Sequence, residues 1–96
     1  MKVRYSRRAL AQIAEIIETI AEGAPEVAGA LSRRMETLAA LLARHPAIGR
    51  RTDLADVRVF ALRPYPYLIF YREEPGGIMI LRVRHMARKE DWRTGR

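Results

Sequence analysis

Between Arg7 and Ala43 the apolar residues recur every three or four positions, and only Gly23-Ala24-Pro25 interrupts the rhythm. That pattern constrains the first half of the chain to two helices. The first stripe is Leu10, Ile13, Ile16, Ile17 and Ile20, with Gln12, Glu15 and Glu18 off it, which predicts a helix over 7–22. Ser6 stands where a helix N-cap belongs. Gly23 stops that helix, Pro25 suits the first turn of a second, and Glu26 complements the second helix dipole. The second stripe is Val27, Leu31, Met35, Leu38 and Leu42, which predicts a helix over 25–43. Two amphipathic helices joined by so few residues have to lie antiparallel as a hairpin. Their apolar stripes then need a second layer to cover them.

The remainder of the chain supplies that layer as strands. His45-Pro46 closes the second helix, because the residue before a proline avoids the α region. Residues 47–56, with Gly49 and Asp53, read as loop. Val57–Arg63 is rich in β-branched and aromatic residues and ends at Pro64. Tyr67–Arg72 is a nearly continuous apolar run, as expected of a central strand buried on both faces. Pro75-Gly76-Gly77 signals a tight turn into a last strand, Ile78–His85. Connections this short make the three strands antiparallel. With Lys2–Tyr5 as a short extended segment, the order is β-α-α-β-β-β. The expected fold is α+β: an antiparallel helix hairpin packed on a three- to four-stranded antiparallel sheet, in a single domain over residues 1–96.

Composition removes several function classes. There is no cysteine, so disulfides and thiolate metal sites are excluded. Lys2, Arg4, Arg7 and Arg8 interrupt any apolar leader, and no apolar run approaches the roughly 20 residues of a membrane span. A cytoplasmic protein without membrane contact is expected. His45 and His85 lack a nearby carboxylate grouping, so neither metal nor cofactor is expected. No glycine loop precedes a helix to cradle phosphate, and no paired carboxylates suggest acid–base work. Charge is the positive clue. The formal net charge is +7, and sixteen of the eighteen bases are arginines. Residues 1–44 carry seven bases and five acids, residues 45–96 eleven and six, so the positive field concentrates in the half that reads as strands. Such a field suits nucleic acid or an acidic protein partner.

The last strand focuses that field. Alternation puts Ile78, Ile80, Arg82 and Arg84 on one face and Met79, Leu81, Val83 and His85 on the other. The second set reads as the core face, which leaves Arg82 and Arg84 on the open face. Arg63 or Arg58 across the sheet, with His85 and Arg88, completes a cationic patch. Tyr65, Tyr67, Tyr71 and Trp92 stand ready to stack on bases or to anchor a peptide.

The ordered set of His-Pro-Ala-Ile-Gly-Arg (45–50), Val-Arg-Val-Phe (57–60), Pro-Tyr-Leu-Ile-Phe-Tyr-Arg (66–72) and Ile-Leu-Arg-Val-Arg-His-Met-Ala-Arg (80–88) resembles the RelE/ParE toxin superfamily. The last piece looks like the ParE-type ending, in which a histidine and an arginine close the final strand. The resemblance implies the toxin of a type II toxin–antitoxin pair, such as those that stabilise plasmids. It also implies a hetero-oligomeric complex with a cognate antitoxin whose disordered, acidic and amphipathic tail wraps the basic groove. Two activities occur in the superfamily. ParE-like members poison DNA gyrase; RelE-like members cleave mRNA in the ribosome. The RelE-like pattern places a basic residue within the strand that here reads Tyr67–Tyr71, where Leu68 or Ile69 stands. It also places a tyrosine near the C-terminus, where this chain has Trp92, which cannot trade protons. These departures favour the ParE-like activity, with Arg58, Arg63, Tyr71, Arg82, Arg84, His85, Arg88 and Trp92 as partner- or nucleic-acid-binding residues. Under the nuclease alternative Arg63, Arg82, His85 and Arg88 would be catalytic. A non-toxic nucleic-acid- or protein-binding domain on the same scaffold is the third reading.

Overall fold

The computed structural model describes residues 2–87. Strand β1 (Lys2–Tyr5) leads into α1 (Arg7–Gly23) and α2 (Pro25–Arg44), followed by a short 3-10 turn (Pro46–Ile48). Strands β2 (Arg50–Arg51), β3 (Arg58–Ala61), β4 (Tyr67–Glu74) and β5 (Gly77–His85) complete the chain. Ser6 caps α1 by accepting a hydrogen bond from the Ala9 N–H through its side chain at 3.0 Å. Ala24 alone separates the helices, with Pro25 at the start of α2.

The helix hairpin expected from the apolar stripes is therefore present, and its stripe forms the core. Leu31, Met35, Leu38, Ala39 and Leu42 of α2 are buried with Ala9 of α1 against Ile69, Tyr71, Ile78, Ile80 and Val83 of the sheet. The periodicity overstated two positions: Leu10 is 54% exposed and Val27 44%. Both stand in the first turns of their helices.

The sheet has five strands in the order β1-β5-β4-β3-β2. The expected three-strand meander is there as β3-β4-β5, all antiparallel. Two additions correct the expectation. β1 joins β5 in parallel, with Val3 opposite Ile78 and Tyr5 opposite Ile80, so the sheet is mixed. The segment 47–56, read as loop, contains the 3-10 turn and the two-residue edge strand β2, which pairs with β3.

The core face of β5 also differs from simple alternation. Tyr71 pairs with Ile80 but Phe70 pairs with Arg82, so Leu81 is an extra residue, a bulge. The bulge shifts the phase. Ile78 and Ile80 face the helices before it and Val83 after it, whereas the alternating pattern had placed Ile78 and Ile80 on the open face. The face away from the helices is not bare: Val57, Val59 and Phe70 are buried there, flanked by Leu54, Leu68 and Leu81.

Candidate functional site

Tyr71 and Arg58 sit opposite each other on β4 and β3, on the helix side of the sheet. Tyr71 is 0% exposed, which excludes it as a stacking platform. Its hydroxyl accepts from the Gly49 N–H at 2.9 Å and donates to the Pro46 carbonyl at 2.7 Å. A Cβ on Gly49 would overlap the Tyr71 hydroxyl and ring, so only glycine lets the chain approach this closely. Arg58 donates to the carbonyls of Gly49 at 2.8 Å and Ala47 at 3.3 Å. Arg58 and Tyr71 are therefore a latch that ties the 46–49 segment to the sheet, and they stand apart from the cationic patch. Burial raises the Tyr71 phenol above its ordinary range, and Glu73 adds to this; the Gly49 hydrogen bond and Arg58 oppose it. Replacing Arg58 with alanine is expected to lower stability by about 1 kcal/mol, the net worth of its hydrogen bonds. Denaturant unfolding measures the loss, and an unchanged midpoint would release Arg58 from the latch.

The bulge does put Arg82 and Arg84 on the face away from the helices, but their environments differ. Arg82, opposite Phe70, is only 4% exposed. It is part of the protein interior, and no scissile phosphate or partner side chain reaches it without rearrangement. Arg84 is half-buried, with its guanidinium 5.3 Å from the Phe70 ring centroid and a hydrogen bond to the His85 carbonyl at 3.2 Å. His85 is exposed and pairs with Tyr67 edge to face, the ring centroids 5.2 Å apart. Its Nδ1 accepts from the Ala87 N–H at 3.0 Å, which leaves Nε2 as the nitrogen presented outward.

Arg63 follows β3 at the same end of the sheet as His85, since Leu62 N–H bonds the Tyr67 carbonyl and Tyr67 pairs with His85. Arg63 is exposed, and its carbonyl accepts from Nε of Arg34 on α2 at 2.7 Å. Arg34 is the cation that reading the sequence missed. No local signal could have placed it, because the contact spans 29 residues. Arg63, Arg84 and His85, with half-buried Tyr65 and Tyr67, thus lie toward the end of the sheet where β3 turns into β4 and β5 ends. Arg84 is on the face away from the helices, beside Phe70; Tyr67 and His85 are on the helix side, where Arg34 reaches the Arg63 carbonyl. Arg88 and Trp92 lie outside the described residues.

The acids of the strands and of the 52–56 loop collect at the opposite end. Glu74 pairs with Arg4 at 3.2 Å and Arg72 at 3.8 Å, and Glu73, Asp53 and Asp56 stand nearby. A depression of about 1060 Å³ lies there, but its walls mix arginines with carboxylates, so it selects for neither sign. The concavity beside the cationic end is smaller, about 220 Å³, between α1 and the end of β5, where Arg84 and His85 meet Glu15 and Ile16. Among the described residues no three histidine, aspartate or glutamate side chains converge as a metal would require, and no helix is long and apolar enough to cross a membrane. Such an end, cationic, aromatic-edged and built on strand termini, is suited to binding an anionic surface.

Comparison with known proteins gives this geometry a context. Residues 3–90 match the model of a family described as the ParE toxin of the type II toxin–antitoxin system parDE. Toxin RelE2 of Caulobacter vibrioides is 36% identical over 87 residues, which cover 91% of this chain and 97% of that protein. Among solved structures, a chromosomal ParDE toxin–antitoxin system from P. aeruginosa superposes with a TM-score of 0.76 at 23% identity, covering 88% of this chain and 95% of the matched chain. That structure shares the fold of the helix hairpin on its sheet.

Proposed function

The chain belongs to the ParE toxin family of type II toxin–antitoxin systems, and from that membership we propose that it arrests growth by binding DNA gyrase, with no bond chemistry of its own. It is the toxin of such a pair, with an antitoxin as its partner. In the proposed reading it acts in the cytoplasm, where gyrase is, and presents the cationic end of the sheet: Arg63, Arg84 and His85, framed by Tyr65 and Tyr67. Arg88 and Trp92, outside the described residues, are the remaining candidates from the sequence.

The observation that carries the gyrase reading is on β4. Where the RelE-like pattern places a base stands Leu68, packed on the apolar cluster away from the helices, or Ile69, 0% exposed in the core. Neither can hold a proton or a phosphate. A second reading, ribosome-dependent cleavage of mRNA, has one observation in its favour. His85 and Tyr67, both able to transfer protons, meet edge to face at 5.2 Å on the same strand end as Arg84.

The two readings separate in purified components. The protein is expected to block gyrase supercoiling of a relaxed plasmid and to leave ribosome-bound mRNA intact. Cleavage of that mRNA at the ribosomal A site, with supercoiling unaffected, would replace the first reading with the second.

A further inference from the structure

α1 is far less covered than α2. Ala9 is its one buried residue, whereas α2 buries seven, Leu31, Met35 and Leu42 among them. The isoleucines Ile13, Ile16, Ile17 and Ile20 pack on the core and are only partly buried. One flank of α1 is committed within the chain: Oε1 of Gln12 accepts from the Val83 N–H at 2.8 Å, and Glu15 lies in the wall of the groove beside β5. The outward side is not. Arg7, Ala11, Ala14, Glu18 and Glu22 follow one another there at helical spacing, and all are exposed. Beside this ridge stands Leu10, at 54% the most exposed large apolar side chain among the described residues.

The charges on the ridge oppose the helix that carries them. A helix presents partial positive charge at its N-terminus and negative charge at its C-terminus. Yet Arg7 and Arg8 open α1 and Glu22 stands in its last turn; no acid lies in the first turn and no base in the last. Glu15, Glu18 and Glu22, three and four residues apart, add repulsion between neighbouring carboxylates. Among the described residues no ion pair involves α1; Glu74 takes both Arg4 and Arg72.

A second α1 turned end for end relieves all of this. It brings its Glu18 and Glu22 to Arg7 and Arg8, and it sets the two helix dipoles antiparallel. Exposed Ala11 and Ala14 let the helices approach closely, and Leu10 fills the gap between Ala14, Ile17 and Ala21 of the other copy. We propose that the outward face of α1 is a self-association surface, on which two copies of this chain pair about a twofold axis near Ala14. The net charge of +7 acts against pairing at long range, and screening leaves the local pattern to decide at contact. The contact lies on the helical side of the molecule, so the opposite face of the sheet, where Arg84 meets Phe70, stays open in both copies. The pairing does not depend on which target the toxin arrests.

The test is sedimentation velocity of the full chain from micromolar to millimolar concentration. The wild type is expected to shift from its 11.0 kDa monomer to twice that mass. Arg7→Glu with Arg8→Glu, and Glu18→Arg with Glu22→Arg, should each weaken pairing by about thirty-fold or more. Both sets of substitutions suit the helix dipole, so each chain should melt no lower than the wild type, and a lost dimer would not come from unfolding. Mixed in equal amounts, the two charge-reversed chains should pair with each other, because each supplies the sign that the other lacks. Leu10→Ala should weaken pairing about ten-fold. A wild type that stays monomeric at millimolar concentration overturns the proposal. So does unchanged pairing in either charge-reversed chain, or a mixture that stays monomeric. A monomeric toxin whose antitoxin affinity falls with Leu10→Ala would assign this face to the antitoxin and overturn self-association.

Discussion

Replacing Tyr71 with phenylalanine is expected to destabilise the protein by about 2 kcal/mol, lowering the melting temperature by roughly 10 °C in a domain of this size. The ring would stay, with its burial, so the loss isolates one oxygen. That oxygen accepts from the Gly49 N–H and donates to the Pro46 carbonyl. Gly49 is buried, so its N–H would have no water to turn to, and an unsatisfied buried donor costs more than the net value of the bond it made. Denaturant unfolding of the two proteins measures the difference directly. A change below about 0.5 kcal/mol, the scatter of neutral surface substitutions, would show that the 46–49 segment is held by other contacts.

The same substitution has a signature in alkali. Burial, and then Glu73, raise the folded-state pKa of Tyr71 above that of an unfolded tyrosine, which is about 10. A raised folded pKa means that folding favours the protonated phenol. The contribution is fully present below the unfolded pKa and is lost as pH rises through the folded one. The chemistry agrees, since only the protonated hydroxyl can donate to Pro46. Tyr5 shifts in the same direction, by burial and then by Glu36, so it contributes to the same alkaline loss. Stability of the wild type should therefore fall as pH rises past about 10, and Tyr71→Phe should flatten that fall without abolishing it. Equal slopes in the two proteins would refute the assignment.

The second large effect concerns activity. Arg63→Glu combined with Arg84→Glu should abolish growth arrest, with the circular dichroism spectrum unchanged. Each reversal removes a favourable charge from the proposed contact surface and adds a repulsive one, and a loss of about thirty-fold in target affinity per residue is in the range of central charged contacts. Persistent arrest by the double variant would remove the cationic end from the mechanism. The choice of pair comes from the structure. Arg82 and Arg84 look equivalent in sequence, and reversing both would seem the natural test. Arg82, however, is 4% exposed against Phe70. A carboxylate placed there leaves a buried charge without compensation and costs several kcal/mol, so an inactive Arg82→Glu protein would report on folding rather than on binding.

How far the site could be read from the residues alone follows the range of the forces involved. Arg84 was legible as a group on the open face near a strand end, whereas His85, placed by alternation on the core face, is exposed because the strand ends there. Arg58 and Tyr71 were misplaced because nothing near them in sequence shows the 46–49 segment folding back onto the sheet. Tyr71 bonds Pro46 across 25 residues and Gly49 across 22. Gln12 looked like an ordinary polar residue off a stripe until Val83, 71 residues away, came within 2.8 Å. Family resemblance supplied the toxin reading; it carries no information on which arginine is buried.

Two apolar stripes broken by Gly23-Ala24-Pro25 dictate the helix hairpin, and three short β-prone runs with tight connections dictate the meander. Both are local consequences of periodicity and chain reach, which operate over a few residues. That β1 runs parallel beside β5, that Leu81 bulges, and which face Ile78 and Ile80 take emerge only in the folded chain. Those outcomes depend on closing contacts across most of the chain, where many pairings satisfy the local pattern and the common core selects one.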